Sequence, residues 1–516
     1  MKNLQTPFIS IPDMISGYAK WQPNQVAWVM GERRVTWREF NERTNRVANA
    51  LLSLGIEKGD RVSLLMLNSI ENAEVIFGIV KAGAVVVPLS PMASPLAVER
   101  MIRDSGSKVL FLDACLEGFF EVAGGVPDSL MDAGRISVGH EKEGWSEYEN
   151  LLAESDPKNP LVEFEPEDLF VIVYSSGTTG TPKGIVHTHR TRVMLGYSLA
   201  IPFRVNESSV SIATTPLFTN GTWAMMLPVF MTGGTVILMN KFDTGSFLDL
   251  VEKEKATHSL MVPTQFHATI ANPTFKQRNL ESLQVLVSVG STLNLELRKA
   301  ILENFECEFF ELYGLTEGVG TGLLRREMLE KPGSVGRPWM GNDIRIVGPD
   351  LKEAETGEIG EIVGYASGLM KGYYNRPDLT DEAIWLDERG RTYLMTGDIG
   401  RLDEDGYLYV LDRKKDMIVS GGVNIYACDI EEVFVTHPEV KEVSVIAAPH
   451  QKWGETPVAL VIPEESANVT EQALMEWANA RLGKFQRVSQ VRFVNDFPRN
   501  ALGKVLKREL RDEFGG

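Results

Sequence analysis

The stretch from Tyr174 to Gly184 is rich in glycine and hydroxyl side chains, a composition that can bind an anionic group. It follows a short apolar run, Leu169–Val173, typical of a buried strand, and the residues that come after it can begin a helix. Glycines let backbone amides approach an anion, while a lysine adds a mobile positive charge. The candidate phosphate-binding residues are Ser175, Ser176, Gly177, Thr178, Thr179, Gly180 and Lys183.

Two other interpretations of this loop are weaker. Its glycine-to-lysine spacing does not match G-x-x-x-x-G-K-[ST], which argues against a P-loop kinase. A surface linker of Ser, Thr and Gly is the plain structural alternative, but linkers rarely follow a buried strand or carry Pro-Lys-Gly. The sequence therefore predicts a phosphate site where a strand passes into a helix.

A second group of candidate residues lies in the pentapeptide Tyr-Gly-Leu-Thr-Glu at 313–317. The ring of Tyr313 can stack on adenine, and the hydroxyl of Thr316 can donate to a phosphate. The carboxylate of Glu317 can hold Mg²⁺, which prefers oxygen ligands and bridges phosphates. Taken alone, the pentapeptide also fits an ordinary turn after a strand.

The C-terminal part of the chain adds two more candidates. Asp398, in a Thr-Gly-Asp sequence, has a carboxylate that can accept two hydrogen bonds from a ribose diol, although a turn aspartate is the alternative. Lys504 follows Gly503 near the end of the chain, where a lone lysine is ordinarily a surface residue. His187 and His189 invite a metal interpretation, but without a nearby carboxylate or cysteine a second-layer or surface role is favoured.

The elements around these residues follow a strand–helix–strand pattern. Residues 61–67 and 84–88 have the pattern of strands and residues 72–82 that of a helix, which predicts a mostly parallel sheet covered by helices. Thr36 and Glu39 form a capping-box signature at a helix start. The apolar run 227–239 is short and broken by two glycines, so it predicts a pair of buried strands rather than a membrane span. A charged run comes next, which alone could be a solvated turn. Because a new strand–helix–strand pattern begins after it, the run divides the chain into predicted domains 1–412 and 413–516.

Composition limits the class of protein. A chain of 516 residues, 43% hydrophobic and 24% charged, is typical of a soluble globular protein with more than one domain. The net charge of −18, with no long basic run, argues against nucleic acid as a partner. Cys115, Cys307 and Cys428 show no metal or disulfide spacing, and no apolar signal core follows Lys2, which favours the cytoplasm and no transmembrane segment. The sequence leaves the oligomeric state open, with a homodimer as one option.

The loop at 174–184 closely resembles the phosphate loop of the adenylate-forming superfamily, which includes acyl-CoA synthetases, peptide-synthetase adenylation domains and luciferases. The other motifs occur in the order of that family, over nearly the whole chain. The resemblance implies an α/β fold with a large N-terminal domain of parallel sheets and helices that binds ATP and the acyl group. It also implies a small, mobile α+β C-terminal domain that carries a catalytic lysine.

The resemblance also implies roles for single residues. Lys504 would bridge the carboxylate and the α-phosphate, and Glu317 would hold Mg²⁺, with Thr316 and Lys183 at the phosphates. The remaining implied roles are adenine and acyl contact at Gly290, Ser291, Thr292, Tyr313 and Gly314, ribose contact at Asp398 and Arg413, a hinge at Lys415, and a coenzyme A tunnel at Ser420, Gly421 and Gly422.

The acyl substrate is constrained by departures from the family pattern. Amino-acid adenylation domains carry Asp directly after the motif Phe, because an ammonium in a dry pocket needs a partner; Thr219 stands here and argues against an amino acid. Val287 stands where hydroxycinnamate ligases carry a lysine, which weakens that assignment. Trp223 is as compatible with core packing as with pocket lining. The implied acyl pocket, Phe218, Thr219, Trp223, Val289, Gly318 and Val319, is largely apolar with no obvious cation.

Together these features predict an ATP-dependent carboxylate–CoA ligase that acts on a medium-chain or aromatic monocarboxylate. It would form an acyl-adenylate and pyrophosphate, then acyl-CoA and AMP, with ATP, Mg²⁺ and coenzyme A. The runner-up loads a carrier-protein phosphopantetheine or stops at the adenylate, but no carrier domain follows Gly516. A nucleotide-binding regulator is disfavoured because Lys504, Glu317 and Asp398 are all present.

Overall fold

The computed structural model describes residues 8–121, 125–175, 183–291, 293–420, 423–451, 453–465, 467–484, 486–500 and 503–515. Within this part of the chain the contacts divide into two compact units. Unit one contains residues up to Glu330 together with 338–343 and 365–383, and unit two contains 331–337, 344–364 and the residues from Ile384 onward. The predicted domain boundary after residue 412 marks the position of a proposed hinge, and it stays a prediction.

The strands, in chain order, are β1 Val26–Met30, β2 Arg33–Thr36, β3 Arg61–Leu65, β4 Val85–Pro88, β5 Val109–Asp113, β6 Arg135–Val138, β7 Ser146–Glu147, β8 Leu169–Ser175, β9 Lys183–Thr188, β10 Val210–Ala213, β11 Thr235–Leu238, β12 His258–Met261, β13 Val285–Val289, β14 Glu308–Gly314, β15 Gly320–Leu324, β16 Arg337–Pro338, β17 Asn342–Val347, β18 Gly360–Ala366, β19 Gly372–Tyr373, β20 Ile384–Leu386, β21 Thr392–Leu402, β22 Leu408–Arg413, β23 Ile418–Ser420, β24 Val423–Ile425, β25 Val440–His450, β26 Gly454–Pro463 and β27 Gln490–Phe493.

The α-helices are α1 Ile11–Trp21, α2 Trp37–Ser53, α3 Ile70–Lys81, α4 Pro95–Ser105, α5 Tyr148–Ala153, α6 His189–Ala200, α7 Asn220–Met231, α8 Thr244–Glu254, α9 Pro263–Ile270, α10 Leu295–Asn304, α11 Pro377–Glu382, α12 Ala427–Val435, α13 Glu471–Asn479 and α14 Lys507–Phe514.

Two sheets form the frame of unit one. Over the described residues, one sheet has nine strands in the order β16-β15-β14-β13-β12-β10-β11-β1-β2, and the other has eight in the order β19-β9-β8-β4-β3-β5-β6-β7. Neighbours in the centres of both sheets run parallel, as in β12 with β13 and β3 with β4. These central strands are apolar and fully buried, because helices cover parallel sheets on both faces.

An aromatic cluster lies at the centre of the unit-one core. The rings of Phe77 and Phe230 stack with centroids 4.5 Å apart, and Trp37 lies 4.8 Å from Phe230. These residues come from α3, α7 and α2, while Trp28 of β1 packs against Phe230 from the sheet side. The cluster fixes α7 against the sheets by burying large apolar areas. Helix α7 directly follows Phe218 and Thr219 of the implied acyl pocket and contains Trp223.

Unit two is built on two smaller sheets. Over the described residues, one has the order β17-β18-β21-β20 with β22 paired to β21, and the other has the order β24-β23-β26-β25 with β27 paired to β26. Helices α12 and α13 pack on the second sheet through buried residues such as Phe434 and Leu474. This arrangement is the α+β pattern expected for the C-terminal part of the chain.

The predicted α/β class is confirmed, and so are several local predictions. Thr36 caps α2 with Glu39 completing the capping box. The elements predicted at 61–67, 72–82 and 84–88 are β3, α3 and β4.

Two local predictions are wrong. The residues after Gly184 do not begin a helix: they continue β9, which pairs antiparallel with β8, and the helix begins only at His189. The run 227–239 is not a strand pair, because its first part ends α7 and only β11 is a strand. In both cases an apolar run is compatible with either element, and the tertiary pairing decides between them.

Candidate active site

The predicted phosphate loop joins two antiparallel strands. In β8 and β9, Tyr174 lies opposite Gly184 and Ser175 opposite Lys183, so the chain enters and leaves the loop side by side. The hydroxyl of Tyr174 donates to Asp104 Oδ2 at 2.5 Å, and burial together with that carboxylate raises the pKa of Tyr174. The predicted residues Ser176, Gly177, Thr178, Thr179 and Gly180 lie outside the described residues.

The pentapeptide at 313–317 ends one strand and forms a turn. β14 ends at Gly314, and β15 returns antiparallel with Tyr313 opposite Thr321. The amide of Leu315 donates to Val319 O at 3.0 Å, which closes the turn. Thr316 and Glu317 therefore lie at the turn, both half-buried, rather than within a strand.

A buried histidine fixes this turn to β9. His187 Nε2 lies 2.8 Å from the carbonyl oxygen of Thr316. A carbonyl only accepts, so Nε2 carries the hydrogen. Burial and the nearby guanidinium of Arg192 lower the pKa of His187 well below its ordinary value, which keeps the ring neutral. The sequence identified His187 as a second-layer candidate but not its partner.

Tyr373 connects two predicted site residues. Its hydroxyl lies 3.1 Å from Glu317 Oε1, and the Lys183 ammonium lies 5.2 Å from the centre of its ring. Tyr373 is placed there because β19 pairs antiparallel with β9, with Tyr373 opposite Ile185. Lys183 and Glu317 thus contact one side chain. Sequence analysis missed Tyr373, since it lies outside the recognised motifs.

The implied acyl-pocket residues lie at the ends of several unit-one elements. Phe218 is half-buried. Val289 is buried at the end of β13, and Val319 is buried directly before β15. Gly318 has a φ of +108°, and a Cβ there would lie 2.1 Å from the carbonyl oxygen of Gly368, so only glycine fits. Gly290 also has a positive φ of +98° and precedes the exposed Ser291; Thr292 lies outside the described residues.

Trp223 is packed in the core. Its indole donates to Leu217 O at 2.9 Å, and Phe77 and Phe170 lie 6.1 and 6.0 Å away, centre to centre. Its third neighbour is the guanidinium of Arg192, 5.4 Å from the ring centre. Sequence analysis found no cation beside this segment, although the 3–4 spacing of buried residues in α6 includes Arg192.

The second set of predicted residues lies in unit two. β21 and β22 bring Asp398 opposite Arg413, and Arg413 Nε lies 2.9 Å from Asp398 Oδ1. Lys415 is exposed in the turn after β22, next to Lys414, whose amide donates to Gly397 O at 2.8 Å. Ser420 ends β23 and is buried; Gly421 and Gly422 lie outside the described residues.

Lys504 is held by a short loop near the C-terminus of unit two. Its amide donates to Asn500 Oδ1 at 3.0 Å, and its carbonyl accepts from the Asn500 amide at 2.9 Å. Desolvation by the surrounding protein and the nearby cations Arg413 and Lys415 lower the pKa of the Lys504 amine to about 8, although part of the residue remains exposed. Lys504 is thus close enough to the Asp398–Arg413 pair for their charges to act on it.

Among the described residues, no helix is both long and apolar enough to cross a membrane. Over the same ranges, no three His, Cys, Asp or Glu side chains are grouped so that they could hold a metal ion.

Two models of known protein families match the chain. The model for AMP-binding enzymes matches residues 17–374, and the model for the AMP-binding enzyme C-terminal domain matches residues 429–504. The chain belongs to the family of AMP-binding enzymes. It is an acid–thiol ligase of the AMP-forming type, with the activity of an acyl- or aryl-CoA ligase.

Relatives of known name cover nearly the whole chain. A long-chain-fatty-acid–CoA ligase from Mycobacterium tuberculosis is 35% identical over 486 residues, 93% of each protein. Feruloyl-CoA synthase from Amycolatopsis sp is 32% identical and covers 96% of this chain and 97% of its own length. The solved structure of o-succinylbenzoate CoA synthetase from Bacillus subtilis, in complex with its acyl-adenylate intermediate, is 27% identical with a TM-score of 0.85, covering 98% of this chain and 99% of that one.

Proposed function

We propose that the chain activates a medium-chain or aromatic carboxylic acid with ATP and Mg²⁺ and transfers the acyl group to coenzyme A. The observation that carries the proposal is the meeting of Lys183 and Glu317 at Tyr373, beside the Thr316 turn that His187 holds. A cation, a hydroxyl and a carboxylate at the base of a glycine-rich loop are the groups that a triphosphate with Mg²⁺ requires.

In the first step, a carboxylate oxygen attacks the α-phosphorus of ATP. A phosphorus–oxygen bond forms to the acid, the bond to the β-phosphate oxygen breaks, and pyrophosphate leaves with the electron pair. Negative charge accumulates on the phosphate oxygens, so the main task of the protein is positioning and charge stabilisation. Lys183, Thr316 and Lys504 would supply that stabilisation.

Glu317 is the residue proposed to hold Mg²⁺. A single carboxylate, already hydrogen-bonded by Tyr373, fits this ion, since Mg²⁺ is commonly bound by one or two carboxylates together with substrate phosphates and water. When bound, the ion would neutralise charge on the leaving pyrophosphate.

Further residues are proposed to contact the nucleoside. The half-buried ring of Tyr313, followed by Gly314, would contact adenine together with Gly290, Ser291 and Thr292. The Asp398 carboxylate would accept from the ribose hydroxyls. Arg413, already 2.9 Å from Asp398, would orient that carboxylate and donate to the ribose.

In the second step, the thiol of coenzyme A attacks the acyl carbonyl, a thioester forms and AMP leaves. We propose that Lys415 is the hinge that removes Lys504 after the first step, while the loop at Ser420, Gly421 and Gly422 borders the pantetheine. One site would then serve two reactions through a conformational step. A homodimer and a cytoplasmic location remain predictions of the sequence.

The test is a product assay over a panel of carboxylic acids with ATP and Mg²⁺, with and without coenzyme A, read by mass spectrometry. We expect coenzyme-A-dependent AMP and a product with the mass of the acyl thioester. An adenylate without thioester, even with coenzyme A present, would instead support transfer to a carrier-protein phosphopantetheine. No AMP with any acid would contradict the proposal.

A further inference from the structure

The guanidinium of Arg192 is a buried cation beside the implied acyl pocket. Arg192 lies on the inner face of α6 with 1% of its surface exposed, and its guanidinium lies over the ring of Trp223. Among the described residues, no carboxylate forms an ion pair with it, and burial alone lowers the pKa of Arg192 to about 9. Its titratable neighbour His187 is neutral and adds no negative charge. A buried charge without a counter-ion is costly unless a ligand compensates it.

The one polar side chain that Arg192 contacts in the described part of the chain is Asn220. Arg192 Nη1 donates to Asn220 Oδ1 at 2.6 Å, while Arg192 Nε is buried without a partner there. A guanidinium can only donate, so the amide oxygen of Asn220 must face it. The amide NH₂ group of the half-buried Asn220 therefore points away from Arg192, where it can donate a hydrogen bond.

Asn220 is also the first residue of α7, a helix of 12 residues. The Thr219 side chain makes no capping bond, because its hydroxyl donates to Pro216 O at 2.8 Å. The positive end of the helix dipole, the Asn220 amide and the Arg192 charge thus coincide two residues after Phe218. All three favour an anionic acceptor.

We infer that Arg192 and Asn220 recognise a second, unreacting carboxylate on the acid substrate. The inference rests on the proposed function and refines its substrate class, since the sequence analysis found no cation near the pocket. The Asn220 amide donates to a carboxylate oxygen, and Arg192 holds that amide in place and supplies the compensating charge. Asn220 is the contact residue and Arg192 a positioning residue.

The experiment compares acids matched in length: hexanoate, adipate and monomethyl adipate, and benzoate with terephthalate. For each pair, the wild type should use the diacid with a kcat/KM about tenfold or more above that of the acid that lacks a second carboxylate. This factor corresponds to one hydrogen bond to a charged group. Asn220→Leu and Arg192→Met should each lower kcat/KM for the diacid about 10- to 100-fold and change the monoacid less than about threefold. The control is Arg190→Met, an exposed arginine of the same helix, which should change neither.

Several outcomes would overturn the inference: a wild type that prefers the monoacids, equal losses on both acids in the variants, or monomethyl adipate used as well as adipate. Equal losses would mean that the pair serves the reacting carboxylate. If Arg192→Met does not fold, Asn220→Leu at its half-buried position carries the test. Calorimetric titration of hexanoate and adipate separates the two proposals: preferential diacid binding without turnover contradicts only the ligase proposal, whereas turnover without preference contradicts only this inference.

Discussion

The imidazole of His187 donates from Nε2 to the carbonyl oxygen of Thr316 across 2.8 Å, which joins β9 to the turn that follows β14. The first element carries Lys183 and the second carries Glu317. Since His187 is buried and neutral, the bond is not weakened by water or by a change of charge near neutral pH. One hydrogen bond thus links the strand that follows the predicted phosphate loop to the turn that carries the candidate Mg²⁺ residue.

Replacing His187 tests this link. His187→Phe removes the donor and leaves a carbonyl unpaired, a cost of about 1–3 kcal/mol. We expect the rate of pyrophosphate release to fall about tenfold. His187→Gln, which keeps a donor, should lose much less. Equal activity of the Phe variant and the wild type, at equal thermal stability, would show that the bond does not position Thr316.

Glu317→Gln tests the metal assignment. Loss of the negative charge should raise the Mg²⁺ concentration for half-maximal adenylation about tenfold or more, because a neutral amide is a weaker ligand for a hard cation. Tyr373→Phe serves as the matched control: it removes one hydrogen bond to the same carboxylate and should raise that concentration only about threefold. An unchanged Mg²⁺ dependence in Glu317→Gln would refute the role.

Lys504→Ala separates the two half-reactions. Adenylate formation should fall by about 100-fold or more, because the variant lacks the positive charge proposed to stabilise the α-phosphate. Thioester formation from a supplied acyl-adenylate should be largely retained. Lys352→Ala, an exposed lysine of the same unit, is the control and should change neither rate. Equal loss of both half-reactions would remove the assigned role.

The same lysine should give the adenylation step a pH dependence. The pKa of Lys504 is about 8, so the amine is charged below that pH and neutral above it. We expect kcat/KM for adenylation, which reports on the free enzyme, to decline as the pH rises through about 8. In Lys504→Arg the side chain stays charged, and the decline should move to higher pH. The same decline in both proteins would assign it to another group.

Lys415→Pro tests the hinge. Proline fixes φ at about −65°, so a residue that must rotate between the two steps would be locked. We expect adenylate formation to persist and thioester formation to fall about 100-fold. Lys415→Ala, which loses the charge but keeps the backbone free, should support both steps. Full turnover by the proline variant would exclude a hinge at this position.

A buried lysine outside the site should make stability depend on pH. Lys81 is 2% exposed, its amine donates to Asn41 and Asn45, and burial lowers its pKa to about 7. In the unfolded chain the pKa is about 10.4. Between these values the unfolded state binds more protons, so the free energy of unfolding should rise with pH from about 7 to about 10.

The comparison is chemical denaturation of the wild type and Lys81→Met over that range. The rise in the free energy of unfolding that Lys81 causes should be absent from the Met variant. Below about pH 7, Lys81 should not make the free energy of unfolding depend on pH, because its amine is protonated in both the folded and the unfolded state. Parallel curves for the two proteins from pH 7 to 10 would contradict the low pKa.

The fold class, the family and the positions of the motifs follow from the amino-acid sequence alone. Capping at Thr36 and the strands β3 and β4 could be predicted because their signals are local: a side chain three residues away, or a run of apolar residues between turns. The motif residues could be predicted because each needs a specific side chain and backbone at a fixed spacing.

The three-dimensional structure was needed to show that the residues after Gly184 form β9, and that His187, Tyr373 and Arg192 lie near the predicted site residues. Each of these depends on a partner outside its own segment: the preceding strand β8 for β9, and Thr316, Glu317 and Asn220 for the side chains. No local pattern encodes such a pairing, because the free energy that selects it comes from burial and hydrogen bonds formed after the sheets have assembled.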